Sequence, residues 1–324
     1  MSTGHGVPEA ATASAPFSGA LRPAQASAGG KAILLGEHAV VHGRPALAVG
    51  LGRHVTVRLV PQADASRAIP STDERVRTAV ARAASAFGIP ETAGFALEFG
   101  GTLPIAMGLG SSAALSVALV RALAASAGVA LTAARLDEVA FDLEQIFHGT
   151  PSGVDSTTAA RGGALWFDKG PPRRSEPIAL RRSLTYVVAL TGTRHETART
   201  VASLRERAAA HPEVYAPVFD AIGALVRSAR RALELGEWPT LGRFMTMNHQ
   251  LLRALGVSTP ELDELVERAV EAGAFGAKLT GGGGGGAALV LAGDDPTSVL
   301  ESLRAAGYDA FVQRLEGSGS GEGA

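Results

Sequence analysis

The stretch PIAMGLGSSAALSVALV, residues 104–120, sets two glycines and two serines, with no charged residue among them, directly before an almost wholly apolar helix. A helix begins with N–H groups that have no intrahelical partner and with the positive end of its dipole, so an anion placed there collects several hydrogen bonds. Gly108 and Gly110 remove side chains that would hold a phosphate away, and Ser111 and Ser112 offer hydroxyls to a phosphate or its metal. A plain glycine turn with a serine N-cap would use the same letters. No lysine follows the glycines, so this is not a Walker loop. Gly108, Gly110 and Ala113 satisfy G-x-G-x-x-A, but the dinucleotide fingerprint needs an apolar strand directly upstream and an acid about 20 residues on. Here GGTLPIAM precedes the glycines and Asp137 lies too far along.

Outward from this loop, KAILLGEHAVVHGRPALAVGLGRHVTVRLV alternates short β-prone runs with glycine turns, as a small antiparallel sheet does. DERVRTAVARAASAFG has helical spacing and FALEFGG reads as a strand. The helix after the loop ends near Gly128, and another runs from Thr132, its N-cap, to about Phe147, with Leu136, Ala140, Leu143 and Phe147 as its apolar stripe. Prolines and charges displace apolar periodicity at DKGPPRRSEPIALRRS, which places a domain boundary near Arg182. Helices follow over 197–210, 214–234, 240–255 and 261–272, the last started by Ser258 with Glu261 completing a capping box. The expected division is a flexible tail over 1–28, a first domain over 29–182, a second over 183–316 and a flexible end over 317–324.

A chain of 324 residues suits two domains better than one core. With 30 basic against 31 acidic side chains, nothing marks a polyanion-binding surface, and no nucleic-acid partner is expected. The absence of cysteine excludes disulfides, thiolate metal sites and cysteine nucleophiles, and agrees with a reducing compartment, the cytoplasm. The N-terminal stretch lacks the basic start and apolar run of a secretory signal. The longest apolar segment, 112–127, is interrupted by Ser116, Arg121 and Ser126 and falls short of the ~20 residues that cross a bilayer, so a buried helix is expected and no membrane partner.

Three separated segments, GKAILLGEHAVVHG, PIAMGLGSSAA and KLTGGGGGGAALVL, in this order and at these intervals, closely resemble the three motifs of the GHMP kinases. GEHAVVHG and EQIFHGTPSGVDS are most similar to the mevalonate kinase branch, and the resemblance covers essentially everything from Lys31 to about Leu315. It implies an α+β fold of two domains, ribosomal-protein-like at the N-terminus and ferredoxin-like at the C-terminus, with the active site in the cleft between them. It also implies that the γ-phosphoryl of ATP, with Mg²⁺, is moved to an alcohol. In that branch the alcohol is the C5 hydroxyl of mevalonate, an intermediate of isoprenoid precursor biosynthesis. A homodimer is allowed by the resemblance, though no feature of the sequence demands one.

By match to the family, Gly108, Leu109, Gly110, Ser111, Ser112 and Ala113 hold the ATP phosphates, and Ser112 and Glu144 are Mg²⁺ ligands. One hydroxyl and one carboxylate suit a hard cation that takes one or two protein oxygens beside phosphate and water. Asp155 in PSGVDS matches the catalytic aspartate, placed to accept or orient the proton of the substrate hydroxyl. An aspartate ahead of STTAA is equally a natural N-cap. Lys31 matches the lysine that sits beside that aspartate and stabilises charge on the transferring group. Glu37 and His38 fall where the family contacts the acceptor. The spacing of His38 and His42 raises zinc, but HExxH needs its Glu after the first His and a helix.

Gly282 and Gly283, inside the run Gly281 to Gly286, match the third motif, whose backbone packs beside the phosphate loop. Ordering six glycines carries a large entropy cost, so bound ATP is expected to rigidify them. TGTRHETART resembles the family's substrate segment, usually ending Arg-x-Thr; aligning Thr197 with that threonine puts His195, not Arg194, at the arginine position. Histidine grips a carboxylate less firmly than an arginine fork, so either Arg194 takes that role or the acceptor differs, and a galactokinase-like sugar kinase stands as an alternative. A non-catalytic ATP-binding sensor is the other alternative, opposed by the presence of Lys31, Ser112, Glu144 and Asp155 together.

Overall fold

The computed structural model describes residues 17, 19–149, 151–193 and 197–318. Its first sheet grows from a long hairpin. Strands β1 (Ala24–Leu35) and β2 (Ala46–Pro61) pair antiparallel with Lys31 opposite Gly50. β1 alternates exposed and covered positions at its start and is almost wholly buried from Gly30 onward, because from there both its faces are covered. β2 also pairs with β4 (Phe95–Gly101) and β5 (Ala164–Asp168). The edges are the short β3 (Arg67–Ala68) and β6 (Arg174–Ile178). β6 occupies the proline- and charge-rich stretch that reads as a break in the sequence; an exposed edge strand tolerates Pro177 and the flanking charges that a central strand would not.

Four helices cover this sheet: α1 (Glu74–Ala86), α2 (Ser111–Ala127), α3 (Ala133–His148) and α4 (Val154–Arg161). α2 lies against β1 and β2 and touches α1, α3 and α4. Burial on all sides explains why its sequence is apolar throughout rather than striped. Thr132 caps α3, its Oγ1 accepting the Arg135 N–H at 3.2 Å.

The second sheet has the order β10-β7-β9-β8, all antiparallel, from β7 (Leu184–Leu190), β8 (Gly276–Thr280), β9 (Ala287–Leu291) and β10 (Asp309–Leu315). The crossover from β7 to β8 carries α5 (Thr197–Ala210), α6 (Pro212–Leu235), α7 (Trp238–Ala254) and α8 (Pro260–Glu271), and α9 (Thr297–Ala305) links β9 to β10. This is the βαββαβ arrangement of a ferredoxin-like unit, with an enlarged first crossover. Pro260 at the first helical position makes Thr259, not Ser258, the N-cap of α8; Thr259 Oγ1 accepts the Leu262 N–H at 3.3 Å and the Ser258 hydroxyl donates to Asp263 instead at 2.6 Å.

The chain passes from the first sheet to the second between β6 and β7. The tail limits differ from expectation at both ends. Residues 24–28 belong to β1, and the Arg22 N–H already donates to the Ser126 carbonyl at 3.0 Å. At the other end, the Ser318 N–H donates to the Leu180 carbonyl at 2.7 Å. Both segments are short and polar, and main-chain pairing that composition does not reveal fixes them.

One continuous apolar core runs through both units. Across it Tyr186 Oη donates to the Gly50 carbonyl at 2.9 Å, and Thr280 Oγ1 accepts the Ile33 N–H and donates to the Ile33 carbonyl, both at 3.0 Å. β1 and β8 are thereby clasped where the two units meet. Among the described residues no helix is long and apolar enough to cross a membrane.

Candidate active site

The loop before α2 turns through Gly108 (φ 75°) and Gly110 (φ 73°), and Gly110 is the helix N-cap. No side chain caps this helix and no acidic residue stands in its first turn. The Ala114 N–H is the first to close onto Gly110, at 2.9 Å, which leaves the amides of Ser111, Ser112 and Ala113 directed out of the helix start. Buried Leu109 anchors the loop, and its carbonyl accepts the Lys31 N–H at 3.0 Å. A Cβ on Gly110 would lie 2.7 Å from Lys31 Cγ. Glycine is therefore required there twice, for the left-handed backbone and for the lysine stem packed against it.

That stem carries the Lys31 ammonium to Asp155, 2.8 Å from Oδ1. Lys31 is 3% exposed and Asp155 21%, so the lysine is buried while the aspartate remains partly open to solvent. Asp155 is in the first turn of α4 and is not its cap; the cap position is Gly153, in the left-handed region. Glu144, on the inner face of α3, accepts the Ser156 N–H at 3.1 Å. Burial, and then the neighbouring Asp155 carboxylate, push Glu144 up to about 7. Ser112 Oγ lies 3.0 Å from His148 Nε2. Burial holds that imidazole below its ordinary range, against the pull of Asp155.

The six glycines between β8 and β9 form a packed wedge, not a linker. A Cβ on Gly281 would lie 2.9 Å from the Gly108 carbonyl oxygen, and one on Gly286 3.0 Å from that of Met107. The Gly284 N–H donates to the Val257 carbonyl at 2.7 Å and the Gly286 N–H to Thr191 Oγ1 at 3.1 Å. The order expected from a nucleotide is thus supplied by the protein's own backbone. Gly281 and Gly286 make the approach to the phosphate loop. Gly283 packs on Val257, and the Gly282 backbone faces the His38 ring.

His38 adopts φ 60°, unusual for a side chain with a Cβ, and is 6% exposed. Its Nε2 is buried without a hydrogen-bond partner among the described residues, and burial pushes the ring down to about 4. Glu37 departs from the expected acceptor contact. Its carboxylate is wholly buried, with Oε1 paired to the Lys278 ammonium and Oε2 accepting from Asn248 Nδ2 at 3.2 Å. Desolvation drives Glu37 up and Lys278 down from their ordinary ranges, each opposed by the other's charge. Lys278 also donates to the carbonyls of Ile33 and Leu279, so the pair joins β1 to β8. Both oxygens of Glu37 being engaged, its part is to fix the two units together. Arg194 and His195 lie outside the described residues, and of Thr197 only its place as the first residue of α5 is described.

The structure therefore brings Lys31, Ser112, Glu144 and Asp155 into one neighbourhood. Sequence reasoning missed His148, Lys278, Asn248 and Val257. Lys278 had a readable signal: a lone cation inside the apolar strand GAKLT requires a buried counter-charge. His148 had only its place at the end of the helix that carries Glu144. An uncapped helix start, a glycine wedge packed on the loop that leads into it and a lysine-paired aspartate whose Oδ2 has no partner among the described residues are what holding a polyphosphate and taking a proton from a hydroxyl require.

Comparison with known proteins agrees. Residues 74–163 match the family GHMP kinases N terminal domain, and residues 229–309 match GHMP kinases C terminal. The mevalonate kinase of Thermococcus sibiricus is 33% identical over 91% of this chain and 96% of its own length. That of Aeropyrum pernix is 38% identical over 80% of this chain and 86% of its own. The crystal structure of L. major mevalonate kinase in complex with R-mevalonate superposes with a TM-score of 0.83 at 29% identity, covering 95% of this chain and all (100%) of that one.

Proposed function

This chain belongs to the GHMP kinases, and from that premise we propose that it transfers the γ-phosphoryl of ATP to the C5 hydroxyl of mevalonate. The observation that carries the reading is the Lys31–Asp155 pair, 2.8 Å long, lying against the uncapped start of α2. Phosphoryl transfer needs alignment and charge neutralisation more than covalent participation by the protein. The amides of 111–113 and the α2 dipole receive the triphosphate, and the backbone wedge of 281–286 closes the opposite side. Lys31 occupies Asp155 Oδ1, leaving Oδ2 for the acceptor hydroxyl, whose proton passes there as its oxygen attacks the γ-phosphorus. Because Lys31 is buried, its position is fixed before substrate arrives and costs nothing to reorganise during transfer.

The residues fit a divalent cation. The donor set is that of a hard cation: the buried Glu144 carboxylate and the Ser112 hydroxyl are both oxygen ligands, and the Asp155 carboxylate lies close to Glu144. Ser112 and Glu144 are the oxygen ligands such a site would use, and Mg²⁺ bound there would neutralise charge on the β- and γ-phosphates. The unpartnered His38 Nε2 supplies a hydrogen bond to the acceptor, and His195 with Thr197 complete its recognition. The reading carries with it a cytoplasmic setting and admits a homodimer. Its test is a panel of acceptors with Mg²⁺ and ATP. ADP release with mevalonate, and little with galactose or homoserine, is expected; release with a sugar alone would reject the acceptor.

A further inference from the structure

Ser112 and His148 come from different helices, the first turn of α2 and the last residue of α3, and meet through Oγ and Nε2 at 3.0 Å. Among the described residues no other side chain bonds to Ser112 Oγ. A serine hydroxyl has one proton and two lone pairs, and a neutral imidazole has one nitrogen that accepts. For the oxygen to face a cation its proton must point elsewhere, and an accepting Nε2 gives that proton a direction. The final turn of α3 is held in place, since the Gly149 N–H at its end donates to the Gln145 carbonyl at 2.8 Å. Glu144 stands four residues before His148, one helical turn away, so both project from the same stripe of α3.

We propose that His148 is a positioning residue: it accepts the Ser112 hydroxyl proton and so turns that oxygen's lone pairs toward the divalent cation of the nucleotide complex. One turn of α3 then supplies one cation ligand directly, Glu144, and aims the other. The proposal rests on the reading of Ser112 as a cation ligand. Its geometry is that of the outer partners of metal ligands in general, whose hydrogen bonds fix ligand direction.

The test uses the full chain saturated with a non-hydrolysable ATP analogue and titrated with Mn²⁺, the free ion being read by its EPR signal. His148→Phe keeps a ring and removes the acceptor; it should weaken Mn²⁺ about tenfold or more, as loss of an outer partner does. Analogue affinity measured in EDTA should stay as in the native protein. His148→Gln, whose amide oxygen accepts the same hydrogen bond, should restore most of the Mn²⁺ affinity. Ser112→Ala separates the two levels of argument. If it is weakened while His148→Phe binds Mn²⁺ normally, the positioning role is overturned and the ligand assignment stands. If Ser112→Ala binds Mn²⁺ normally, the ligand assignment fails and the proposal falls with it. Equal losses in His148→Phe and His148→Gln, or a parallel loss of analogue affinity in EDTA, would also overturn it, since a mere packing role would produce them.

Discussion

Replacing Lys278 by methionine should test how the two units are joined. Lys278 and Glu37 are both wholly buried, and the ammonium serves three oxygens, those of Glu37, Ile33 and Leu279. Methionine has nearly the same length and leaves little void, so the loss is electrostatic: the Glu37 carboxylate keeps the Asn248 amide but loses its counter-charge. Breaking one side of a buried ion pair costs about 3–5 kcal/mol. Glu37→Met strands the ammonium instead and should cost about the same. The double variant buries no charge, and its remaining deficit comes from the Leu279 carbonyl and the Asn248 amide losing their partners, about 1 kcal/mol each, since the Ile33 carbonyl keeps Thr280 Oγ1. The two single losses should therefore exceed the double loss, with a coupling of ~2 kcal/mol or more in a urea-denaturation cycle followed by circular dichroism.

The sign of the pH effect follows as well. Without Lys278 the Glu37 carboxyl is raised still further, the folded state holds its proton where the unfolded chain has released it, and stability falls as pH rises above the ordinary carboxylate value of 4.5. The Lys278→Met deficit should thus be larger at pH 8 than at pH 5. Strict additivity of the two single substitutions, or a deficit independent of pH, would refute the pairing as a buried clasp.

Three further outcomes are expected at the site. Asp155→Asn should lower turnover by roughly 10²–10⁴, the range for loss of a positioned proton acceptor, with nucleotide affinity by calorimetry nearly unchanged; undiminished turnover would remove the residue from the chemistry. Gly110→Ala places a Cβ 2.7 Å from Lys31 Cγ and forces alanine into the left-handed region, at a backbone cost of about 1–2 kcal/mol; it should weaken ATP binding and turnover together, and native values for both would show that the loop yields freely. Glu144, pushed up to about 7 from an ordinary 4.5, favours the fold when protonated, a contribution present below about pH 4.5 and lost as pH rises through 7. In nucleotide- and metal-free protein Glu144→Gln should therefore raise the melting temperature at pH 8 and change it little at pH 5; the reverse order would contradict the assignment of its environment.

The sequence carries the element order far better than the element junctions. Helix α3 is legible because Thr132 caps it and apolar spacing marks its inner face. β6 is not, since an edge strand facing solvent needs no apolar pattern, and residues 24–28 read as tail because main-chain pairing leaves no trace in composition. At the site, Lys31, Ser112, Glu144 and Asp155 are found through their motifs. Motif membership does not say which motif residues meet substrate. Glu37 lies beside His38 in the same run, yet His38 adopts a φ of 60°, so that one side chain enters the clasp with Lys278 and the other's Nε2 has no partner among the described residues. Contacts between distant segments, such as Ser112 with His148 and Gly284 with Val257, belong to tertiary packing and have no local signature.

Phosphorus NMR of the purified enzyme mixed with Mg²⁺, ATP and mevalonate reads the account's central claim most directly. A phosphomonoester split by the two protons of C5, appearing in step with ADP, is the predicted product. ADP accompanied only by inorganic phosphate, or a spectrum unchanged by mevalonate, would contradict it.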